Sequence, residues 1–170
     1  TGQKDKNGHF FFFFWSAPIV PLIGADLEFF DMLVTDVNGT IKAGDKTYQW
    51  NTWADVLKPK AGTEVLATYE DQFYKGKAAA VTRKLGKGSI TYVGVESING
   101  DFERQIVRTI YDRANVTIED LPKGVFVEWR DGFYVGVNYT SEAINLPIPK
   151  GSKIVVGQNP LQPAQAVIWK

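Results

Sequence analysis

Only one stretch of this 170-residue chain, Asp101 to Ala114, carries apolar residues at helical spacing. Phe102, Ile106, Val107, Ile110 and Tyr111 fall on one side of that helix, and Asn99 or Asp101 stands where its first turn needs a cap. One helix cannot build a helical bundle. A (β/α)₈ barrel needs eight strand–helix units and about 200 residues or more, so that fold is excluded too. The rest of the chain must therefore be mainly strand and turn. Asn38-Gly39, Gly44-Asp45, Gly86-Lys87-Gly88 and Asp131-Gly132 all read as turns between β-rich runs, and Asn-Gly and Asp-Gly are strong two-residue hairpin signals.

Taken in order, the pattern predicts a strand over Phe10 to Trp15 and a short turn or helix punctuated by Pro18 and Pro21 and ending near Gly24. Extended chain follows from Leu27 to Val37, and returning strands at Thr40 to Ala43 and Lys46 to Trp50. Glu64 to Tyr69 alternates, with Val65, Ala67 and Tyr69 on one face. Ala78 to Leu85 and Ser89 to Val95 predict a hairpin. After Asn115 the composition changes to short, evenly spaced strands at Val125 to Trp129, Phe133 to Tyr139, Ile144 to Ile148, Lys153 to Val156 and Gln165 to Trp169. The expected division is residues 1–116, α+β in class or the remnant of an α/β domain, and residues 117–170, a small antiparallel all-β domain.

Lys plus Arg equals Asp plus Glu at 19 each, which removes any global attraction to nucleic acid or anionic membranes. The phenylalanine run is far shorter than the roughly 20 apolar residues of a membrane helix. With no cysteine, thiol chemistry and cysteine-ligated zinc are excluded. His9 is the only histidine, so neither a Ser-His-Asp triad nor a typical zinc site can be assembled. The compartment stays open. The abrupt start close to an apolar strand reads as a chain cut from something longer.

Several local patterns fail on their chemistry. Gly86-Lys87-Gly88 lacks the third glycine of a dinucleotide loop and precedes a strand. Gly39 to Thr47 lacks the spacing and the following helix of a phosphate loop. Asp36-Val37-Asn38-Gly39 places its glycine too early for a calcium loop. Asn38-Gly39-Thr40, Asn115-Val116-Thr117 and Asn138-Tyr139-Thr140 match the glycosylation triplet only as pattern. Glu64, Glu70, Asp71, Glu96 and Glu103 have no motif that would pair two of them for glycoside hydrolysis, so each reads as a solvated or ion-paired side chain.

Trp53 to Leu57, Glu64 to Tyr69, Asp71 to Lys77, Ala80 to Gly88 and Thr91 to Gly94 occur in an order that resembles the end of the middle domain of glycoside hydrolase family 42 β-galactosidases. Pro21 to Ala25 with Phe30-Asp31 is similar to the family's region upstream. Val137-Asn138-Tyr139-Thr140 is similar to the hairpin end of its C-terminal β domain, with Tyr139 where histidine is usual and alanine at 79 or 80 where proline is usual. The resemblance implies the second half of a flavodoxin-like, amidotransferase-like α/β domain associated with homotrimers, followed by the C-terminal β domain. It implies a parent enzyme that hydrolyses terminal β-D-galactosyl residues on its own N-terminal (β/α)₈ barrel. No catalytic glutamate and no cofactor or metal are implied for this segment, and the compartment would be cytoplasmic or periplasmic in a bacterium. The segment would assemble the enzyme and shape its cleft.

Trp50 and Trp53, beside Asn51 in a loop-like stretch, are the best candidates for exposed aromatics at the cleft or the subunit contact. Trp15, Trp129 and Trp169 read as core or interface, where tryptophan is enriched. The alternative is a carbohydrate-binding module on residues 123–170, which requires an exposed aromatic face.

Overall fold

The computed structural model describes residues 20–170. Phe10 to Trp15 and His9 lie outside the described residues. The chain divides into two compact units, one up to Val116 and one from Thr117 to Lys170.

In the first unit a single helical turn, α1 (Val20–Ile23), stops at Gly24 and leads into β1 (Ala25–Met32). β2 (Gly39–Ala43) and β3 (Lys46–Pro59) form a hairpin whose two turn residues are Gly44 and Asp45. β4 (Glu64–Tyr69) precedes the hairpin of β5 (Ala78–Leu85) and β6 (Gly88–Val93), turned by Gly86-Lys87. β7 (Val95–Ser97) pairs with β3, and α2 (Asp101–Arg113) follows.

The sheet order is β1-β3-β2-β4-β5-β6. A further pairing of β3 with β5, Leu57 opposite Ala78, closes β3, β2, β4 and β5 into a ring. β3 makes this possible through its length. Its first half pairs with β2 and its second half with β1. Between them Thr52 adopts a φ of 78°, a left-handed conformation uncommon outside glycine, and the strand turns from one partner to the other.

Closure leaves little room at the seam. Gly94 donates its N–H to the Ala79 carbonyl of β5 (2.8 Å) and accepts from the Asp55 N–H of β3 (2.6 Å). A Cβ on Gly94 would stand 2.7 Å from the Asp55 carbonyl oxygen and 3.1 Å from that of Ala79. Both obstacles are backbone, so neither can swing away. The ring encloses Trp50, Tyr69, Tyr74, Ile41 and Val56, and α2 adds Phe102 and Ile106. Complete burial of such side chains contributes about 1.5–3 kcal/mol each.

The start of α2 is tied down by its neighbours. Asn99 Oδ1 accepts the Asp101 N–H (3.1 Å) and Ser97 Oγ accepts the Phe102 N–H (3.3 Å). Glu103 reaches back to the Ser97 N–H (2.7 Å) and hydroxyl (2.5 Å). These contacts satisfy first-turn donors in the manner of a capping box. Of the expected apolar stripe, Phe102 and Ile106 are buried, whereas Val107 and Tyr111 remain exposed.

The second unit is a four-stranded antiparallel sheet, β10 (Ile154–Val156), β11 (Ala166–Trp169), β9 (Phe133–Asn138) and β8 (Val125–Arg130). Asp131 and Gly132 both have positive φ, 46° and 87°, as a type I′ hairpin requires. Asn138 is fully buried. Its amide donates to the carbonyls of Glu142 (2.7 Å) and Leu161 (3.0 Å), and its Oδ1 accepts from the Thr140 N–H and hydroxyl. The triplet at Asn138 is thus a structural clasp.

Three expectations change. Asn38-Gly39 is not a hairpin turn. β1 pairs with β3 rather than β2, and Gly39 faces Trp50 across the sheet, where a Cβ would collide with the indole. Glycine serves packing there. Ile144 to Ile148 is not a strand: it keeps one bridge to Leu161, and the Asn159 side chain takes both backbone groups of Leu146. The flavodoxin-like α/β layer is not confirmed either. Every strand pairing among the described residues is antiparallel, and half of the pairings join strands consecutive in the chain. Parallel pairs need long crossovers, and α2, the one long helix described, follows the last strand of its sheet. The fold is β-rich.

Replacing Gly94 by alanine is expected to destabilise the first unit by about 3 kcal/mol, an overpacking cost with no escape. Gly44→Ala, at a φ of 58° with open space around it, should cost only about 1 kcal/mol. Urea unfolding followed by tryptophan fluorescence orders the two, and an equal or reversed order contradicts the seam.

Candidate functional site

β4 begins at Glu64 and ends at Tyr69, so its two ends open onto different surfaces. At the Tyr69 end, the loop from Glu70 to Lys77 is held by the backbone. Gly76 donates to the Tyr69 carbonyl (2.7 Å), Tyr69 to Lys77 (3.0 Å) and Lys77 to Tyr74 (3.0 Å). Gln72 takes a φ of 60° and Gly76 one of 81°. Asp71 Oδ2 accepts the Thr40 N–H (2.6 Å), and Glu70 donates its N–H to the Thr40 carbonyl (2.9 Å). These two contacts join the loop to the start of β2. Tyr74, buried, donates its hydroxyl to Asp31 Oδ2 of β1 (2.8 Å). Burial, then the hydrogen bond to Asp31, pushes the Tyr74 hydroxyl above the ordinary tyrosine range.

This scaffold displays Phe73, which is 82% exposed. The ring does not swing free: it stacks on Phe29 at 5.4 Å and meets Tyr74 edge-on at 4.9 Å. The neighbouring connection from β1 to β2 exposes Val34, at 72%, and Val37. An ordered aromatic among exposed aliphatics on a hydrogen-bonded loop has the character of an interface anchor.

At the Glu64 end the surface is basic. Arg83, Lys84, Lys87 and Arg113 line a groove between the β5–β6 turn and the end of α2, with Ile110 and Ala114 among its walls. Arg113 grips Glu64 through both nitrogens, at 2.7 and 2.8 Å. That hydrogen bond, against the effect of burial, lowers the Glu64 pKa and raises that of Arg113.

Of the tryptophans singled out from the sequence, Trp50 is completely buried inside the ring, against Tyr69 at 5.7 Å. It is therefore not an exposed aromatic of this unit. The stretch read as loop is the middle of β3, and Trp50 sits opposite Gly39, where the missing side chain leaves room for the indole. Trp53 is half-buried, stacked on Phe30 at 4.5 Å, and donates Nε1 to Asp55 Oδ1 (2.8 Å). The structure does not bring the two together: Trp50 lies in the core cluster, and Trp53 does not. Asp55 itself was not singled out. It accepts from Tyr92 (2.5 Å) as well as Trp53, and its carbonyl accepts the buried Tyr69 hydroxyl (3.0 Å). Phe73 was also missed, since a residue in an irregular loop carries no periodic signal.

The carboxylates weighed as catalytic candidates are dispersed. Glu64 serves Arg113, Asp71 serves Thr40 and Glu103 serves Ser97. No three metal-ligating side chains gather among the described residues, and no described helix is long and apolar enough to cross a membrane.

Residues 1–117 match the family described as the β-galactosidase trimerisation domain. β-Galactosidase BgaH of Haloferax lucentense is 29% identical over 160 residues, covering 94% of this chain and 24% of the relative. β-Galactosidase Bga of Halorubrum lacusprofundi is 30% identical over 159 residues, 86% of this chain and 23% of the relative. The solved polyextremophilic β-galactosidase from H. lacusprofundi superposes with a TM-score of 0.82 at 26% identity, over the whole of this chain and 26% of that one. The β-galactosidase of Bacillus circulans sp. alkalophilus gives 0.80 at 19% identity, over 99% of this chain and 27% of that one, a likeness of fold. The chain thus spans about a quarter of the length of the relatives it matches.

The Glu64–Arg113 pair gives a pH test. Its side chains are about half exposed, at 54% and 49%, so solvent screening limits it to about 0.5 kcal/mol. The folded Glu64 pKa is depressed, so this stability is present above the unfolded glutamate pKa and is lost as pH falls through the folded one. Glu64→Gln should therefore be less stable than the parent near neutrality, with the gap closing in acid. A gap that widens in acid contradicts the pairing.

Proposed function

The chain belongs to the β-galactosidase trimerisation domain family, and from that premise we propose that it assembles and shapes a β-galactosidase rather than supplying its catalytic groups. The observation that carries this reading is the rigid loop presenting Phe73. A folded chain that spends backbone hydrogen bonds and two left-handed residues on holding an aromatic ring in water has prepared that ring for a partner. Preorganisation lowers the ordering cost of association, and buried aromatic anchors dominate interface energies.

The chemistry of the carboxylates supports the same reading. Retaining glycosidases need two carboxyl groups about 5 Å apart across the scissile bond. Here Asp31, Asp55, Asp71 and Glu103 are each held by structural donors from the chain itself. In this proposal the parent enzyme hydrolyses terminal β-D-galactosyl residues on its own N-terminal barrel. The partners of this segment are that barrel and two further copies. Residues 1–116 form the later half of the assembly domain, with the flavodoxin-like layer completed by preceding polypeptide. Residues 117–170 form the small β domain. Trp53, stacked on Phe30 beside Asp55, is the remaining aromatic candidate for the cleft or the subunit contact. No cofactor enters.

Light scattering across a concentration series tests this. The chain is expected to self-associate and to leave a chromogenic β-galactoside unhydrolysed. Phe73→Asp should weaken association by about 30-fold, the effect of losing an anchor worth ~2 kcal/mol. Phe73→Ser should cost the fold less than about 1 kcal/mol, since most of that ring already faces water. Turnover that copurifies with the chain, or a variant that associates unchanged, overturns the proposal.

A further inference from the structure

A ring of three copies sets a geometric demand that a dimer does not. A two-fold contact joins one patch to itself, whereas a cyclic trimer joins two different patches, each copy offering one to the next. The two patches must be complementary to each other and lie on different parts of the unit. The two ends of β4 meet that demand. They are separated by six residues of strand, about 20 Å.

The ends differ in charge as well as in shape. Around the Phe73 loop stand Asp31, Asp36, Glu70 and Asp71, with Lys75 as the opposing charge, while Lys77 at the loop's end is paired with Glu28 (2.8 Å). Around the far groove stand Arg83, Lys84, Lys87 and Arg113, with Glu64 already neutralised by Arg113. Lys84 and Lys87 form no ion pair with a described residue, and both are exposed. The basic end is also not purely polar. Ile110 and Ala114 line the groove, and Leu85 beside it is 42% exposed. A protruding phenylalanine ringed by carboxylates therefore has its counterpart on the same molecule: a recess with apolar walls ringed by cations.

Resting on the assembly reading, we propose that the trimer is joined head to tail, the Phe73 end of one copy seating in the Arg83–Lys84–Lys87–Arg113 groove of the next. Phe73 fills the recess against Ile110 and Ala114. The opposed charges set the register and suppress the like-end encounters, which would bring carboxylate to carboxylate or cation to cation.

The test uses the full chain in sedimentation velocity at about 50 and 300 mM salt. The wild type is expected to trimerise, more weakly at the higher salt because exposed charges are screened. Reversing the groove with K84E/K87E, or neutralising the acidic end with D36N/E70K, should each weaken association at least about tenfold. K84Q/K87Q should fall between, and circular dichroism should show each variant folded. Asparagine is chosen at Asp36 because that residue has a φ of 69°, which asparagine tolerates. The variant carrying all four changes should associate more tightly than K84E/K87E, since the neutralised Phe73 end no longer repels the reversed groove. A wild-type trimer that ignores K84E/K87E, or a four-site variant no tighter than K84E/K87E, overturns the head-to-tail contact and leaves the assembly reading standing. A wild type that stays monomeric at every concentration overturns both.

Discussion

Asp55 is the residue on which the closed sheet of the first unit depends. Its backbone N–H reaches Gly94 and its carbonyl accepts the Tyr69 hydroxyl of β4. Its carboxylate takes Trp53 of its own strand and Tyr92 of β6. One residue of β3 thereby binds to β4, β6 and the segment entering β7. A nearly buried carboxylate costs several kcal/mol unless its oxygens are satisfied, and here both oxygens are. Remove that set of donors and the charge is stranded inside the wall of the ring. Keep it, and β3 has no alternative register, because a shift by one residue would carry Asp55 to the opposite face. The polar contacts thus specify the arrangement, while Trp50, Tyr69, Tyr74 and Phe102 supply most of the burial that favours it.

Fixing that ring fixes its ends. Tyr74 belongs to the core by its ring and to the Phe73 loop by its sequence position, so the loop cannot move without opening the core. The same holds for Asp71, which leaves the loop to take the Thr40 N–H near the start of β2. The display of Phe73 is thus a consequence of the packing of Tyr74 on one side of it and the hydrogen bond of Asp71 on the other. At the other end, the basic groove is made by the β5–β6 turn and the last turn of α2, and Arg113 fastens that helix to Glu64 at the start of β4. Both surfaces are tied to β4, which gives their separation the stiffness of a paired strand.

What could be read from the chain and what could not divide along a physical line. Hairpins at Gly44-Asp45, Gly86-Lys87 and Asp131-Gly132 were readable because a two-residue turn is decided by its own φ angles. α2 was readable because a helix repeats its apolar spacing over several turns. Asn38-Gly39 misled because glycine has two uses, and here it clears space for the Trp50 indole instead of turning the chain. The exposure of Trp50 was misjudged for the same reason, since nothing local marks a side chain that enters the core through a gap opposite it. Ile144 to Ile148 has strand composition, but Asn159 claims the Leu146 backbone with its side chain, a contact that no sequence window contains. The side-chain contacts of Asp55 alone reach a residue 37 positions away. The flavodoxin-like layer was implied by the resemblance, and the antiparallel pairings of the described residues do not confirm it.

The balance of 19 basic and 19 acidic residues carries a related lesson. A zero sum excludes a long-range field that would draw in a polyanion, and it removes the mutual repulsion that would keep copies of the chain apart. It says nothing about arrangement. In the first unit the carboxylates around Asp36 and Glu70 and the cations around Lys84 and Lys87 stand at opposite ends of one strand. A neutral molecule with separated charges attracts its own kind in one orientation and repels it in others, which is the requirement for a ring of fixed order. That separation follows from the fold: β5 is buried from Ala78 to Thr82 and β4 alternates towards a buried Tyr69, so their charged residues gather where the strands run out.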